Sequence, residues 1–435
     1  MKPLLLFSFL LHLFFPNIFF GTEKTKSKID ELANTLEPKL IEWRRHFHQF
    51  PELGNREFKT SEKIAKHLQS LGMEVQTKIA HTGVVGILKG GKPGKVVALR
   101  ADMDGLPVIE EVDVAFASKE KGNYNGKEVG VMHACGHDTH IAIMMTVAEV
   151  LSSMKNEIRG TVKFIFQPAE EGVPDGEEGG AAMMVKEGVL QNPNVDAAFA
   201  LHIDGQLDVG NIEYRAGAYM ASSDVLKIVV KGKQTHGAYP WNGVDPIVTS
   251  AQIITGLQTI VSRQIPLTTN IAVVTIGSIH GGNRSNIIPG EVEMVGTIRA
   301  LDTAIQHSVH EKIQRTVKGI AESAGATAEV TITKGYPVTI NDVELTTKMI
   351  PTLSRVAGEN RIHDVPPRTG AEDFSFIALK VPGFYFSLGG KPLKVKKEDT
   401  GAHHSPKLFI DESGMKLGVR AMCNLAIDFL EMDGK

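Results

Sequence analysis

Four short, mostly apolar runs punctuate the chain, and each gives way to polar side chains: 96–99 before Arg100, 162–166 before Gln167, 197–201 before His202, and 384–388 before Gly389. Strands covered on both faces must be apolar throughout, so such runs predict the inner strands of an α/β sheet. Helical spacing supplies the covering layers. Ile29, Leu32, Leu36, Leu40, Trp43 and Phe47 line one helix, and further helices are expected over 60–71 and 139–154.

A different pattern occupies residues 217–332. Strand-like 225–230, a helix over 246–264, strands over 271–279 and 291–300, a helix over 304–324 and strand-like 328–333 read as β-α-β-β-α-β. That order is the ferredoxin-like unit, small enough to be one inserted domain. A chain of 435 residues with 42% hydrophobic content exceeds what one core usually holds. The expected division is therefore a leader over 1–21, a main domain in two parts over 22–216 and 333–435, and the insertion between them.

The leader reading rests on composition. After Lys2, residues 3–20 are almost entirely Leu, Phe and Ile, and the chain turns polar at Gly21. The run is short for a bilayer span and contains Pro16, which favours a cleaved secretory signal and a periplasmic or secreted protein over a membrane anchor. Elsewhere, 47 basic and 50 acidic residues give a formal net charge of −3 with no basic block. No nucleic-acid footprint or polybasic membrane patch is implied, and the expected partner is a small molecule.

Ligands of open α/β sheets bind beyond the carboxyl ends of the strands, so the residues after each apolar run are placed to face a site. RADMDG supplies Asp102 and Asp104, QPAEEG supplies Glu170 and Glu171, ALHI supplies His202, CGHDTH supplies Cys135, His137 and Asp138, and GAHHSP adds His403 and His404. Thiolate, imidazole and carboxylate are the donors that hold zinc and similar metals. With only Cys135 and Cys423 in an exported chain, a disulfide is the plain alternative, but Cys135 stands between two histidines, which favours a metal. Adjacent residues on an extended strand end point in opposite directions, so one of Glu170 and Glu171 can bind while the other takes a proton from a metal-activated water. Amide hydrolysis needs those functions.

At this point the chain resembles a known family. RRHFHQFPEL, LRADMDGLP, MHACGHDTH, FIFQPAEEG, ALHI, GVDPI, NIIPGEVE and HHSP follow one another in the order seen in the amidohydrolase branch of the aminoacylase and glutamate-carboxypeptidase-like dinuclear metallopeptidases. That branch includes hippurate hydrolases, N-acyl-L-amino-acid amidohydrolases and auxin-conjugate hydrolases. The resemblance implies a zinc-peptidase-like catalytic domain, a mixed sheet flanked by helices, with the insertion serving as a lid or dimerisation domain and a possible homodimer forming through it. It implies two divalent cations, zinc, manganese or cobalt, held by Cys135, His137, Glu171, His202 and His404, with Glu170 as general base. Asp102 matches a carboxylate that orients the ligands. His236 matches a residue that stabilises the oxyanion, often from the partner subunit, while Asn286 and Arg299 match positions that hold the substrate carboxylate. The plainer alternatives are a surface role for His236 and a strand-edge charge for Arg299.

The implied activity is hydrolysis of the amide bond of N-acyl amino acids or similar conjugates. Alternatives are a dipeptidase or carboxypeptidase, an N-acetyl-diaminopimelate deacetylase, and a non-catalytic exported protein that binds amino-acid conjugates. One motif points nowhere: residues 86–92 read G-x-x-x-x-G-K, but Pro93 follows where a phosphate-binding loop needs Ser or Thr. The segment is expected instead to be a hairpin turn between 84–88 and 96–99.

Overall fold

The computed structural model describes residues 22–432, so the leader expected over 1–21 lies outside the described residues. No helix among the described residues is long and apolar enough to cross a membrane.

The first unit comprises helix α1 (Glu23–Gln49), strands β1 (Glu74–Ile79), β2 (Gly83–Lys89) and β3 (Lys92–Asp102), helix α2 (His137–Ser153), and strands β4 (Arg159–Gln167), β5 (Ala197–Asp208) and β6 (Ile212–Tyr214). The chain then enters a second unit: β7 (Asp224–Lys231), α3 (Pro246–Gln264), β8 (Ala272–His280), β9 (Glu291–Ala300), α4 (Thr303–Ser323) and β10 (Thr327–Lys334). It returns to the first through β11 (Ile362–Asp364), β12 (Gly383–Lys391) and α5 (Met415–Glu431).

The first unit is built on a mixed eight-stranded sheet in the order β1-β2-β4-β3-β5-β12-β6-β11. Its centre, β4-β3-β5-β12, is parallel, and β1 and β2 add an antiparallel edge. Val97, Leu99, Phe164, Phe166, Phe199, Phe384 and Phe386 pack with buried residues of α1, α2 and α5 on one face. Ala98, Ile165, Ala198 and Tyr385 pack with Tyr219 and Phe374 on the other. Burial on both faces is the reason these strands carry mostly apolar runs.

One expectation is corrected. The chain bends at Gly90 and Gly91, whose amides bond the Gly160 and Lys155 carbonyls, but β2 and β3 do not form a hairpin, because β4 lies between them, antiparallel to β2 and parallel to β3. Two neighbouring apolar runs look alike whether they pair with each other or with a third strand, so the sequence could not make this distinction.

The second unit carries its own antiparallel sheet, ordered β8-β9-β7-β10, with Leu226, Ile228, Met294 and Ile298 packed against Ile253, Leu257, Val309 and Ile313 of its two helices. Its strands alternate buried and exposed residues, as a sheet covered on one face must. The links 221–223 and 335–338 join the units: the Ser223 amide bonds the Tyr336 carbonyl at 2.9 Å, and Ser222 bonds Ala300.

Candidate metal centre

Donor side chains gather where the parallel strands end. Gly136 precedes α2 with φ 87°, and a Cβ there would sit 2.4 Å from Ile203 Cγ2. Only glycine lets the Cys135–His137 turn lie this close to β5. After β4, Ala169 also takes a left-handed backbone, φ 50°, and its amide donates to buried Glu57 Oε1 at 2.9 Å. That kink turns Glu170 and Glu171 back toward α2. Glu57, with its carboxyl pushed up to about 8 by burial and by Asp104, was not apparent from sequence as a support for the site.

His137, Glu171, His202, His404 and Cys135 converge. His137 Nε2 lies 3.9 Å from Glu170 Oε2 and 3.9 Å from Glu171 Oε1. Cys135 Sγ is 3.3 Å from His202 Nε2, and Glu171 Oε1 is 3.0 Å from His404 Nε2. Ligand atoms of Cys135, Glu171 and His404 lie within 4.8 Å of one another, as do those of His137, Glu170 and Glu171, and of Cys135, His202 and His403. Glu171 and Cys135 each belong to two of these clusters, so the groups form one continuous set of donors.

The rings are held so that ligating nitrogens face inward. His137 Nδ1 donates to Asp104 Oδ1 at 3.2 Å, leaving Nε2 buried without a hydrogen-bond partner. His202 Nδ1 donates to the Ile203 carbonyl at 2.6 Å, which likewise leaves its Nε2 lone pair available. Glu171 Oε1, though near His404, is also buried without a hydrogen bond. Buried polar atoms are almost always partnered, so orphans aimed at one point fit a cation. His140 is excluded from that role: its Nε2 accepts the Ile203 amide at 2.7 Å and its Nδ1 donates to Asp102 Oδ1 at 2.5 Å.

Electrostatics agree with a cationic centre. Burial, then Glu372, Glu171, Asp373 and Asp102, push the Glu170 carboxyl well above its ordinary range. Burial and the carboxylates of Glu171 and Glu170 do the same to the Cys135 thiol. Burial opposes charge on His137, but Asp102, Asp104 and Glu171 outweigh it and raise its pKa to about 10. These groups compete for protons because positive charge is short. Divalent cations would supply that charge, displacing the protons and leaving thiolate and carboxylate.

Asp102 stands one layer back, bonded to His140 and to Arg100 at 2.7 Å. The carboxylate closest to His137 is Asp104, which the sequence placed facing the site without assigning it a particular part. It also accepts the Glu170 amide at 3.1 Å and the Glu171 amide at 3.0 Å. The signal was present in RADMDG, where two acids two residues apart share one side of the strand end. Asp104→Asn would set an amide donor against these donors. Metal affinity is expected to fall by about 10- to 100-fold, measured by competition with a chromophoric chelator; unchanged affinity would leave Asp104 with only a folding role.

A cavity of about 400 Å³ opens over the cluster, lined by Cys135, Glu170, Glu171, His202 and His404 and also by Arg299 and Tyr336. Arg299 is half-buried; burial lowers its pKa, and the charge of Asp224 acts on it without a hydrogen-bonded ion pair. His236 and Asn286 are brought together on the second unit, where the Gly237 amide bonds the Asn286 carbonyl at 2.8 Å. Both are exposed, and neither lines the cavity of a single chain. The two cysteines are free thiols, with Cys423 in the core on α5.

A mixed α/β sheet whose strand ends bring these donors to one cavity defines a metal-dependent hydrolase of amide bonds. Comparison with known proteins names its family. The model of peptidase family M20/M25/M40 matches residues 98–428. Thermostable carboxypeptidase 2 of Saccharolobus solfataricus is 42% identical over 409 residues, 94% of this chain and 98% of that protein. N-acyl-L-amino acid amidohydrolase of Geobacillus stearothermophilus is 40% identical over 321 residues, 73% of this chain and 82% of that one. Among solved structures, the Bacillus subtilis YXEP protein, described as a dinuclear metal binding peptidase from the M20 family, superposes with a TM-score of 0.76 at 33% identity, covering 92% of this chain and 100% of its own. This chain belongs to the M20/M25/M40 peptidase family.

Proposed function

We propose that the protein hydrolyses N-acyl amino acids, with Cys135, His137, Glu171, His202 and His404 holding two divalent cations and Glu170 acting as general base. The observation that carries this reading is Arg299, which lines the same cavity as the donor cluster. A guanidinium there grips a free carboxylate through two parallel hydrogen bonds and sets the scissile amide over the donors. Bound cations would polarise the carbonyl and lower the pKa of a water toward about 7. Glu170 takes that water's proton as oxygen adds to the carbonyl carbon. It then returns the proton to the amide nitrogen as the C–N bond breaks, releasing carboxylate and amine.

A carboxypeptidase is the second reading. It is favoured by the relatives named thermostable carboxypeptidases, and it would use Arg299 in the same way. A panel of N-acetyl and N-benzoyl amino acids beside dipeptides, assayed with zinc, manganese or cobalt, separates the two. Free amino acid should appear from the acyl substrates, and a chelator should abolish it; release only from dipeptides would favour the second reading. Cys135→Ala should bind metal more weakly, and unchanged metal content would remove it from the ligand set.

His236 and Asn286 are read as completing the cavity of a second copy. His236 adjoins exposed Tyr239 and Trp241, 52% and 74% accessible, and Ile287 is exposed on the strand paired with it. Apolar side chains clustered beside a polar functional residue suit a subunit contact. The dimer would form through the second unit, acting as the lid domain, and the apolar run over 3–20 would direct export. Mass spectrometry of protein recovered from expressing cells reads both: a native mass of two chains and a denatured mass lacking the leader are expected. A monomer, or a chain with its leader intact, would overturn the corresponding part.

A further inference from the structure

We propose that His403 is a hydrogen-bond donor to the Cys135 sulfur and not a metal ligand, and that it sets how strongly the thiolate donates to the cations. The inference rests on the ligand set proposed above. His403 Nδ1 stands 3.5 Å from Cys135 Sγ, while its Nε2 accepts the Gly205 amide at 3.1 Å. A neutral imidazole that accepts at one nitrogen carries its proton on the other. The nitrogen facing the sulfur therefore presents N–H and has no lone pair to offer a metal.

The surroundings hold this tautomer. The nearest acid, Asp204, has Oδ1 3.9 Å from Nε2, beyond hydrogen-bond reach. That carboxylate is already engaged by Arg368 at 2.9 Å and by the Gln206 amide at 2.8 Å. The two neighbouring imidazoles thus take different parts. His404 turns Nε2 to Glu171, and His403 turns N–H to the sulfur. An N–H on a thiolate favours the charged form and lowers the energy of its lone pairs, so the sulfur gives less electron density to a bound cation.

Cobalt makes this visible, because the energy of the sulfur-to-cobalt charge-transfer band follows the energy of those lone pairs. His403→Leu should still take up two cobalt ions per chain, with the band moved to longer wavelength. His403→Asn, whose amide N–H falls where Nδ1–H was, should restore the parent position. His403→Gln, which carries its amide out to the Nε2 position, should shift the band as leucine does, and it tests the same point should the leucine variant fail to fold. A band unmoved in both the leucine and glutamine variants would overturn the proposal. Loss of one cobalt from any variant would make His403 a ligand and overturn it equally. A parent protein that takes up no cobalt would instead defeat the dinuclear reading, and this inference with it.

Discussion

Glu170→Gln is expected to lower kcat on N-acyl amino acids by about 10²- to 10⁴-fold, the span that a positioned general base contributes. Glutamine keeps the size and hydrogen-bonding reach of the side chain but cannot accept a proton. Little else should change, because the backbone of this residue is fixed independently of its carboxylate. Its amide donates to Asp104 at 3.1 Å, and its carbonyl accepts the Tyr336 hydroxyl at 2.5 Å. Metal content should therefore equal that of the parent, since the ligands proposed for the cations are other residues. The pair of measurements decides the assignment. Turnover within about tenfold of the parent would move the proton transfer to another group. Lost metal with lost turnover would show that Glu170 is itself a ligand.

How much of this was legible beforehand differs by level. In the second unit, alternation and helical spacing place β7 to β10, α3 and α4 to within a residue of where the structure has them, because one-faced burial writes itself into period two and period 3.6, whereas the two-residue strands Thr235–His236 and Ile287–Ile288 are too short to show a period. The strand order of the main sheet was not legible. Runs buried on both faces carry no mark of which neighbour they bond, and β4 enters between β2 and β3 unannounced. In the site, residue type and position pointed to a wider group, Asp102, Asp104, Cys135, His137, Asp138, Glu170, Glu171, His202, His403 and His404, and only the family resemblance narrowed it to the five ligands proposed. Their supports stayed hidden, because a support is defined by contact. Glu57 reaches Ala169 from 112 residues away, and Arg100 reaches Asp373 across 273. Nothing in the local sequence around Glu57 separates it from a solvated glutamate.

The Arg100 contact also shows how the acid-rich wall of the site stays folded. Fully buried, Arg100 gives Nη1 to Asp102 at 2.7 Å, Nη2 to Glu372 at 2.9 Å and to Asp373 at 2.8 Å, and Nε to Gln167 at 2.8 Å. One guanidinium thus serves three carboxylates, a task its planar fork can perform and a lysine cannot. Arg100→Met should fill the space yet leave those acids facing one another without water. The expected loss is about 3–5 kcal/mol, the usual cost of removing one partner from a buried ion pair. Denaturant unfolding of parent and variant at equal metal concentration measures it.

The pH dependence carries the sign. In the parent, burial raises the Asp102 pKa, but His137, His140 and Arg100 together hold it well below the ordinary carboxylate range. A depressed carboxylate contributes stability above its unfolded pKa, near 4, and loses it as pH falls through the folded value. Asp373 runs the other way: burial raises it to about 8 even though Arg100 opposes that rise, so it favours the folded state less as pH climbs from about 4 to 8. Removing Arg100 weakens the first effect and deepens the second. The stability gap between variant and parent should therefore widen as pH rises from about 4 toward 8 and narrow in acid, where the carboxylates hold protons. A gap that stays constant over that range would mean that the methionine disturbs packing alone, and that the guanidinium is not what keeps these acids together.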